Sequence, residues 1–340
     1  MRGGVRMRKI LGTAAVVLIG LAGIGAVVVF NRVTSFEVEP VTDDVHVIYN
    51  AIGGNVGVLR TELGAVVVDT MTFRLQGQQI RELAERLGGG PTQAIINTHY
   101  HRDHTHGNPA FAVGARFVAT QRTRDYLMHW DSAYWDEDAA GTLPNQTFES
   151  SHEMQIGGKT VRSHHLGAGH TGGDLVVLFV EDRVLHAGDL LFHLQYPTID
   201  IRGGGSAREW DATMDRMLEL DFDSVIPGHG RVTDREGVVA FQRFLRELWR
   251  EVEAAVAAGK SLEETLATVH LTEDGGYEAR SIPFVMSRDR DSVIGRAYAE
   301  ATGAIRAAPV PRSVSSRWDR GIAPGRNTAS TAVTLEDRSS

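Results

Sequence analysis

Cysteine is absent from the 340 residues, which excludes a disulfide scaffold and removes the thiolates on which structural zinc sites usually rest. An excess of positive charge is lacking too. The formal net charge is −8, and the first 30 residues carry Arg2, Arg6, Arg8 and Lys9 with no acid, so the rest of the chain is more acidic than the whole. That balance speaks against a nucleic-acid partner, which calls for a basic face. There is no low-complexity array and no short-period repeat, which excludes a solenoid. What remains, 42% hydrophobic and 23% charged residues, is the composition of a folded enzyme and not of a disordered polymer. The length suits one domain of about 200 to 250 residues with extensions, or two domains.

The first positive feature is an apolar run. Ile10 to Phe30 carries no charge and follows the basic cluster of residues 1–9 directly. As a helix it would span roughly 31 Å, enough for a bilayer core. The expectation is a transmembrane helix over residues 10–30, with the basic end in the cytoplasm and the catalytic domain extracytoplasmic, either periplasmic or at the cell surface. The competing reading is a signal peptide whose cleavage would make the protein secreted.

Beyond it, β-branched runs at Val45–Tyr49, Val56–Arg60, Ala65–Val68, Ala94–Asn97 and Arg116–Ala119 predict strands, several of them buried on both faces. Ile80, Leu83 and Leu87 at helical spacing, closed by Gly88, Gly89 and Gly90, predict a helix with a glycine stop. The second half repeats the theme with strands at Thr160–Leu166, Asp174–Val180, Val184–Ala187 and Ser224–Ile226, and a helix from about Ser206 to Leu220. Further helices are expected from Arg235 to Ala258, from Leu262 and from Ser292 to Ile305. Strands and helices recurring in two halves imply an α/β fold in four layers, an αββα sandwich. Residues 36–250 would form the domain, residues 251–306 a C-terminal helical extension, and residues 307–340, where apolar periodicity stops, a disordered tail.

Chemistry concentrates in Asn97-Thr98-His99-Tyr100-His101-Arg102-Asp103-His104. Three imidazoles and a carboxylate follow a buried strand. His99 and His101 are two residues apart and can face one way at a strand end, whereas Asp103 and His104 lie past it and can serve a neighbouring point. The pattern suggests two adjacent metal positions. Histidine and carboxylate donors without thiolates are the habit of catalytic zinc. The remaining ligands should come from other glycine-flanked strand ends: His170 in Gly167-Ala168-Gly169-His170, Asp189 in Gly188-Asp189 and His229 in Gly228-His229-Gly230.

These residues resemble the metallo-β-lactamase superfamily, whose pattern is H-x-H-x-D-H followed by a distant His, an Asp after Gly, and a last His. The resemblance covers roughly Phe36 to Leu248 and implies the αββα sandwich with metals at one edge of the sheets. It implies that His99, His101 and His170 hold one metal, that Asp103, His104 and His229 hold a second, that Asp189 bridges them, and that Asp69 orients a ligand histidine from behind. Two zinc ions about 3.5 to 4 Å apart would make hydroxide available near neutral pH, with Asp103 aiming it as the catalytic carboxylate. The expected activity is hydrolysis of an acyl bond in an ester, lactone, thioester or β-lactam amide. With two divalent cations against two carboxylates and a hydroxide, the small-molecule substrate is expected to be anionic.

The other readings keep the fold and change the chemistry: a single iron with a sulfur-oxygenating activity, or a non-catalytic anchored binding protein. Asp189 departs from the β-lactamases proper, which resemble this chain in their histidines but place Cys or Ser there. Phe192 stands where acyl-homoserine lactonases have a tyrosine, and Leu190 to Tyr196 does not look like the arginine-containing continuation of glyoxalase II. His193 and Tyr196 follow the Asp189 turn and either contact substrate or pack the loop. Trp130, Tyr134 and Trp135 either cover the site or anchor a long loop. His106 and His186 adjoin the motifs and are read as supporting or solvent-facing residues.

Overall fold

A computed structural model describes residues 30–111, 115–135, 137–282 and 286–309. Strand β4 (Gly64–Val68), buried at every position, shows why sheets and helices stack in layers. Val66 and Val68 point into an apolar cluster shared with strands of the second half, including Val177, Phe179 and Ile226. Ala65 and Val67 point the other way, onto Ile80 and Ala84 of the helix Arg74–Gly88. The two-residue period of a strand thus gives each sheet one face for its partner sheet and one for a helix.

The first sheet runs in order β1 (Phe36–Pro40), β2 (Val45–Asn50), β3 (Val56–Thr61), β4, β5 (Thr92–Ile96), β6 (Arg116–Thr120) and β7 (Gln146–Phe148). It begins antiparallel and turns parallel from β4 onward. The second comprises β8 (Ser151–Ile156), β9 (Lys159–His164), β10 (Val176–Phe179), β11 (Val184–Phe192), β12 (Ser224–His229) and β13 (Thr233–Asp234), in reverse spatial order. Its outer face meets the helices Ala207–Leu218, Arg235–Ala257 and Arg290–Ala301 through Trp210, Met214, Phe241, Phe244 and Ile294. Ser206 caps the first of these by accepting from the Glu209 amide. The αββα sandwich is therefore present.

Several elements were not legible in the pattern. The helix Gln121–Trp130 is capped by Thr120, but its short polar sequence hides its period. The hairpin β14 (Arg280–Ile282) and β15 (Met286–Arg288) is too short to signal. The helix Arg235–Ala257 runs through residue 250, and Val293, Ile294 and Ala297 share the core of the second sheet, so the residues expected as an extension complete a layer of the sandwich.

The membrane expectation is corrected. Among the described residues no helix is long and apolar enough to cross a membrane. The 23-residue helix Arg235–Ala257 has the length but presents Arg243, Arg246 and Arg250 on its outer face, where a bilayer would charge heavily for them. No described helix therefore carries the membrane contact, the anchoring or the extracytoplasmic placement drawn from one. Residues 10–29 of the apolar run, and 310–340 of the expected tail, lie outside the described residues.

Candidate metal centre and its cleft

The site is built on the ends of β5, β11 and β12 and on two loops. After β4 the chain turns sharply through Asp69 and Met71, both at positive φ (65° and 63°), a conformation that side-chain-bearing residues adopt at a cost of about 1–2 kcal/mol. The turn aims the buried Asp69 carboxylate at the loop after β5. It accepts from the Thr98 amide (2.8 Å) and hydroxyl (2.7 Å) and lies 2.7 Å from His104 Nδ1. Asp69 therefore stands behind His104 and leaves Nε2 facing inward. His101 ends the extended segment, and Asp103 and His104 sit in the one-turn helix Arg102–Thr105.

The second half contributes one residue from each of three places. His170 lies on the loop before β10, its Nδ1 2.7 Å from the Thr198 carbonyl. Asp189 lies on β11 after Gly188, and His229 closes β12. Two glycines are required by this convergence. A Cβ on Gly228 would stand 2.0 Å from Asp189 Oδ1, and one on Gly54 would stand 2.2 Å from His104 Cε1. Neither can carry a side chain while the ligand residue keeps its place.

The geometry groups His99, His101 and His170; His99, His104 and Asp189; and Asp103, His104 and His229, with candidate donor atoms within 4.8 Å of one another in each. His170 Nε2 lies 2.8 Å from His101 Nδ1. Asp189 is central, 3.2 Å from His104 Nε2, 3.4 Å from His170 Nε2, 3.5 Å from His229 Nε2 and 4.0 Å from His99 Nε2. Asp103 Oδ2 is 3.3 Å from His229 Nε2. Within this cradle His99 Nε2, His104 Nε2 and Asp189 Oδ1 are buried without a hydrogen-bond partner. Buried polar atoms are seldom left so, and divalent cations held in the cradle would satisfy all three. All seven residues are thus brought together, in three overlapping sets.

Charge supports the same fit. Burial works to lower the pKa of His104, but Asp189, Asp103 and Asp69 outweigh it and hold it well above the ordinary histidine value. Burial works to raise Asp189, but His229, His104 and His170 hold it well below the carboxylate range. A cluster of carboxylates facing imidazoles in this way calls for positive charge at its centre, which metal ions supply without protonating the ligands.

The cradle opens into a cleft of about 910 Å³, the size of a small-molecule site. Asp103, His101 and His229 form its floor, and Tyr49, Ile52 and Trp130 stand among its walls. Trp130 stacks on Tyr126 with ring centroids 4.7 Å apart. Tyr134 stacks on His106 at 3.6 Å, His106 Nε2 lies 2.5 Å from Asp131 Oδ2, and Trp135 is buried, so Tyr134, Trp135 and His106 anchor the loop while Trp130 reaches the substrate space. His186 supports the Asp189 turn, its Nδ1 accepting from the Gly188 amide; burial lowers its pKa to about 4 and keeps it a neutral acceptor.

Two expected substrate contacts lie elsewhere. His193 Nδ1 is 2.8 Å from the Arg231 carbonyl, and the ring lines a separate depression against the helix Arg235–Ala257. Tyr196 is buried, donates to Asp274 and packs on Tyr277 and Phe244. After Asp189 the strand continues to Phe192, and of the residues that follow, Gln195 lines the cleft while His193 and Tyr196 do not, which placement by sequence proximity could not show. Two residues were missed, one behind a ligand histidine and one in the cleft wall. Asp200 accepts from Tyr100 and lies 3.1 Å from His101 Nε2, fixing that ring so that Nδ1 faces the cradle. Arg288 enters from β15. Each is distant in sequence from every motif; only the glycines after Asp200, Gly203 to Gly205, hinted at a special turn.

Residues 49–229 match the metallo-β-lactamase superfamily, and the chain belongs to it. It is 28% identical over 242 residues to the 2,4-dinitroanisole O-demethylase subunit alpha of Nocardioides sp. strain JS1661, covering 67% of this chain and 68% of that one. It is 25% identical over 210 residues to metallo-β-lactamase IND-1 of Chryseobacterium indologenes, covering 58% and 84%. Among solved structures, a metallo-β-lactamase from Pontibacter korlensis superposes with a TM-score of 0.54 at 21% identity, covering 62% of this chain and 99% of that one. The fold and the clustered donors make this protein a metal-dependent hydrolase with a centre suited to two metal ions.

Proposed function

We propose that the chain is a di-zinc hydrolase that cleaves an acyl bond, in an ester, lactone, thioester or β-lactam amide. The observation that carries this is the set of buried donor atoms without partners, His99 Nε2, His104 Nε2 and Asp189 Oδ1, at the point where His101, His170, Asp103 and His229 also converge. His99, His101 and His170 would hold one ion, Asp103, His104 and His229 the other, and Asp189 both. Zinc there would supply hydroxide near neutral pH and Lewis acidity toward a carbonyl. The donor set fits zinc in a catalytic role because it is all nitrogen and oxygen.

The protein's own groups do the remaining work. Asp103 is the acidic residue of the cradle that reaches the cleft, with 36% of its side chain exposed. The pull of burial toward a higher pKa is outweighed by His104 and His229, so it stays a carboxylate and accepts the hydrogen bond that orients the attacking group. Asp69 and Asp200 hold His104 and His101, and Trp130 helps exclude water from one wall. The named relatives comprise β-lactamases, an O-demethylase subunit and, at 25% identity, a linear primary-alkylsulfatase of Pseudomonas. What they share with this chain supports the centre more than any one bond, and the acyl bond is the reading to test.

Elemental analysis of the full chain purified without chelator, with turnover of ester, lactone, thioester, β-lactam and sulfate-ester substrates, decides it. About two zinc per chain with chelator-sensitive acyl hydrolysis is the expected result. One iron without hydrolysis, or no bound metal, overturns the proposal.

A further inference from the structure

Five arginines line the cleft, and four differ from the fifth. Arg102 pairs with Asp131, Arg231 with Glu37, Arg280 with Glu278, and Arg32 is exposed at the rim. Arg288 is only 8% exposed, its Nε is buried without a hydrogen-bond partner, and among the described residues no carboxylate lies within ion-pair distance of it. Its guanidinium carbon sits 5.4 Å from the centre of the Phe192 ring. That same ring stacks on His229 at 5.3 Å and meets His170 at 5.8 Å. Arg288 is therefore one aromatic ring away from two of the clustered histidines and opens onto the same cleft. A buried charge is expensive without a partner, and a single cation–π contact is a weak substitute.

A second observation points the same way. Arg280 and Arg288 are direct partners across the hairpin β14 to β15, an arrangement in which like charges repel. Both line the cleft. Two opposed guanidinium groups, one of them buried, are relieved together by an anion placed between them and the floor, and the planar fork of Arg288 matches an oxyanion with two acceptor oxygens. The hairpin lies outside residues 49–229, the part that matches the superfamily, so this feature is added to the common centre by the chain's own C-terminal segment.

We propose that Arg288, helped by Arg280, is a specificity-determining residue that holds an oxyanion group of the substrate, carboxylate or sulfate, beside the metal centre. The proposal takes the cleft as the substrate site, as the hydrolase reading does, and makes the anionic part of the substrate the feature selected. No bond changes at Arg288; it binds and orients.

The test uses the full metal-loaded chain, with Arg288→Met, Arg288→Lys and wild type compared. One readout is calorimetric binding of acetate and of inorganic sulfate, alongside metal content; the other is the preference for a carboxylate-bearing aryl ester over its methyl ester. The expected result is that Arg288→Met keeps its metal, loses about tenfold or more in anion affinity and in that preference, and raises KM more than it lowers kcat, with Arg288→Lys intermediate. Tighter acetate binding by wild type assigns a carboxylate, tighter sulfate binding a sulfate. Anion affinity and preference unchanged in both variants overturn the proposal and leave the hydrolase standing. Should Arg288→Met lose metal or fail to fold, Arg288→Lys and Arg280→Met decide in the same terms. Arginine-dependent anion binding without turnover of any substrate overturns the hydrolase and leaves this proposal standing.

Discussion

The two halves of the sandwich supply the metal cradle in different ways. The first half sends four donors, His99, His101, Asp103 and His104, from one loop after β5, and Asp69 from the neighbouring turn locks that loop with three contacts. The second half sends His170, Asp189 and His229 from three separate strand ends and loops, and these are brought into register by β11, β12 and the helices outside them. The first arrangement is local and self-bracing. The second depends on the packing of a whole layer, so damage far from the metal should reach it through the scaffold.

The most damaging test of that contrast is Asp189→Asn, because Asp189 is within 4.0 Å of four of the five histidines. Metal content should fall from about two to one or fewer per chain, and turnover by at least about a thousandfold. Elemental analysis with steady-state kinetics checks it. Retention of both metals would show that the first-half loop suffices and that Asp189 bridges nothing.

Next comes Trp210→Ala. The indole is fully buried, donates to the Leu190 carbonyl at 3.1 Å and backs the Gly169 turn before His170. Its loss should cost about 3–5 kcal/mol of stability and weaken metal binding as well, since it braces both the His170 loop and β11. Denaturant unfolding and a metal titration measure the two effects, and a stability loss without a metal effect would break the proposed dependence on the layer.

Asp69→Asn probes the self-bracing half. The amide would present N–H to His104 Nδ1, which favours the tautomer with the proton on Nε2, the atom that faces the cradle. Metal affinity should fall about 10- to 100-fold, measured by competition with a chelator. An unchanged affinity would mean that the loop after β5 holds His104 without Asp69.

The same contrast explains what could be read from the sequence. His99, His101, Asp103 and His104 crowd into six residues and announce themselves, and Asp69 closes a visible apolar strand. His170, Asp189 and His229 are single residues whose glycine neighbours are suggestive but common; the order of the superfamily pattern singled them out. Strands such as β4 were legible because full burial leaves only apolar residues, whereas β14 and β15 carry too few residues for a period. Arg288 is invisible for the same reason, since what marks it is the absence of a partner in three dimensions. His193 and Tyr196 were misplaced because adjacency to Asp189 says nothing about where a long strand ends.

The smallest effect belongs to the outermost part of the second half. Glu247, buried on the helix Arg235–Ala257, accepts from the Thr272 amide (2.8 Å), the Thr272 hydroxyl (2.6 Å) and the Glu273 amide (2.8 Å). Burial pushes its pKa up, but these donors outweigh it and leave it below the ordinary value of 4.5. A carboxyl with a depressed folded pKa binds fewer protons folded than unfolded, so its stabilisation is complete above the unfolded value and is lost as the pH falls through the folded one. Glu247→Gln should therefore cost about 1–2 kcal/mol at pH 7, with the gap to wild type closing below about pH 4.5. Metal affinity should hold, because Thr272 and Glu273 lie beyond the core residues that brace the ligands. Urea unfolding across that pH range, with a metal titration at neutral pH, locates where the scaffold stops mattering: a pH-independent gap would reduce Glu247 to shape, and a drop in metal affinity would extend the second half's dependence to its outer edge.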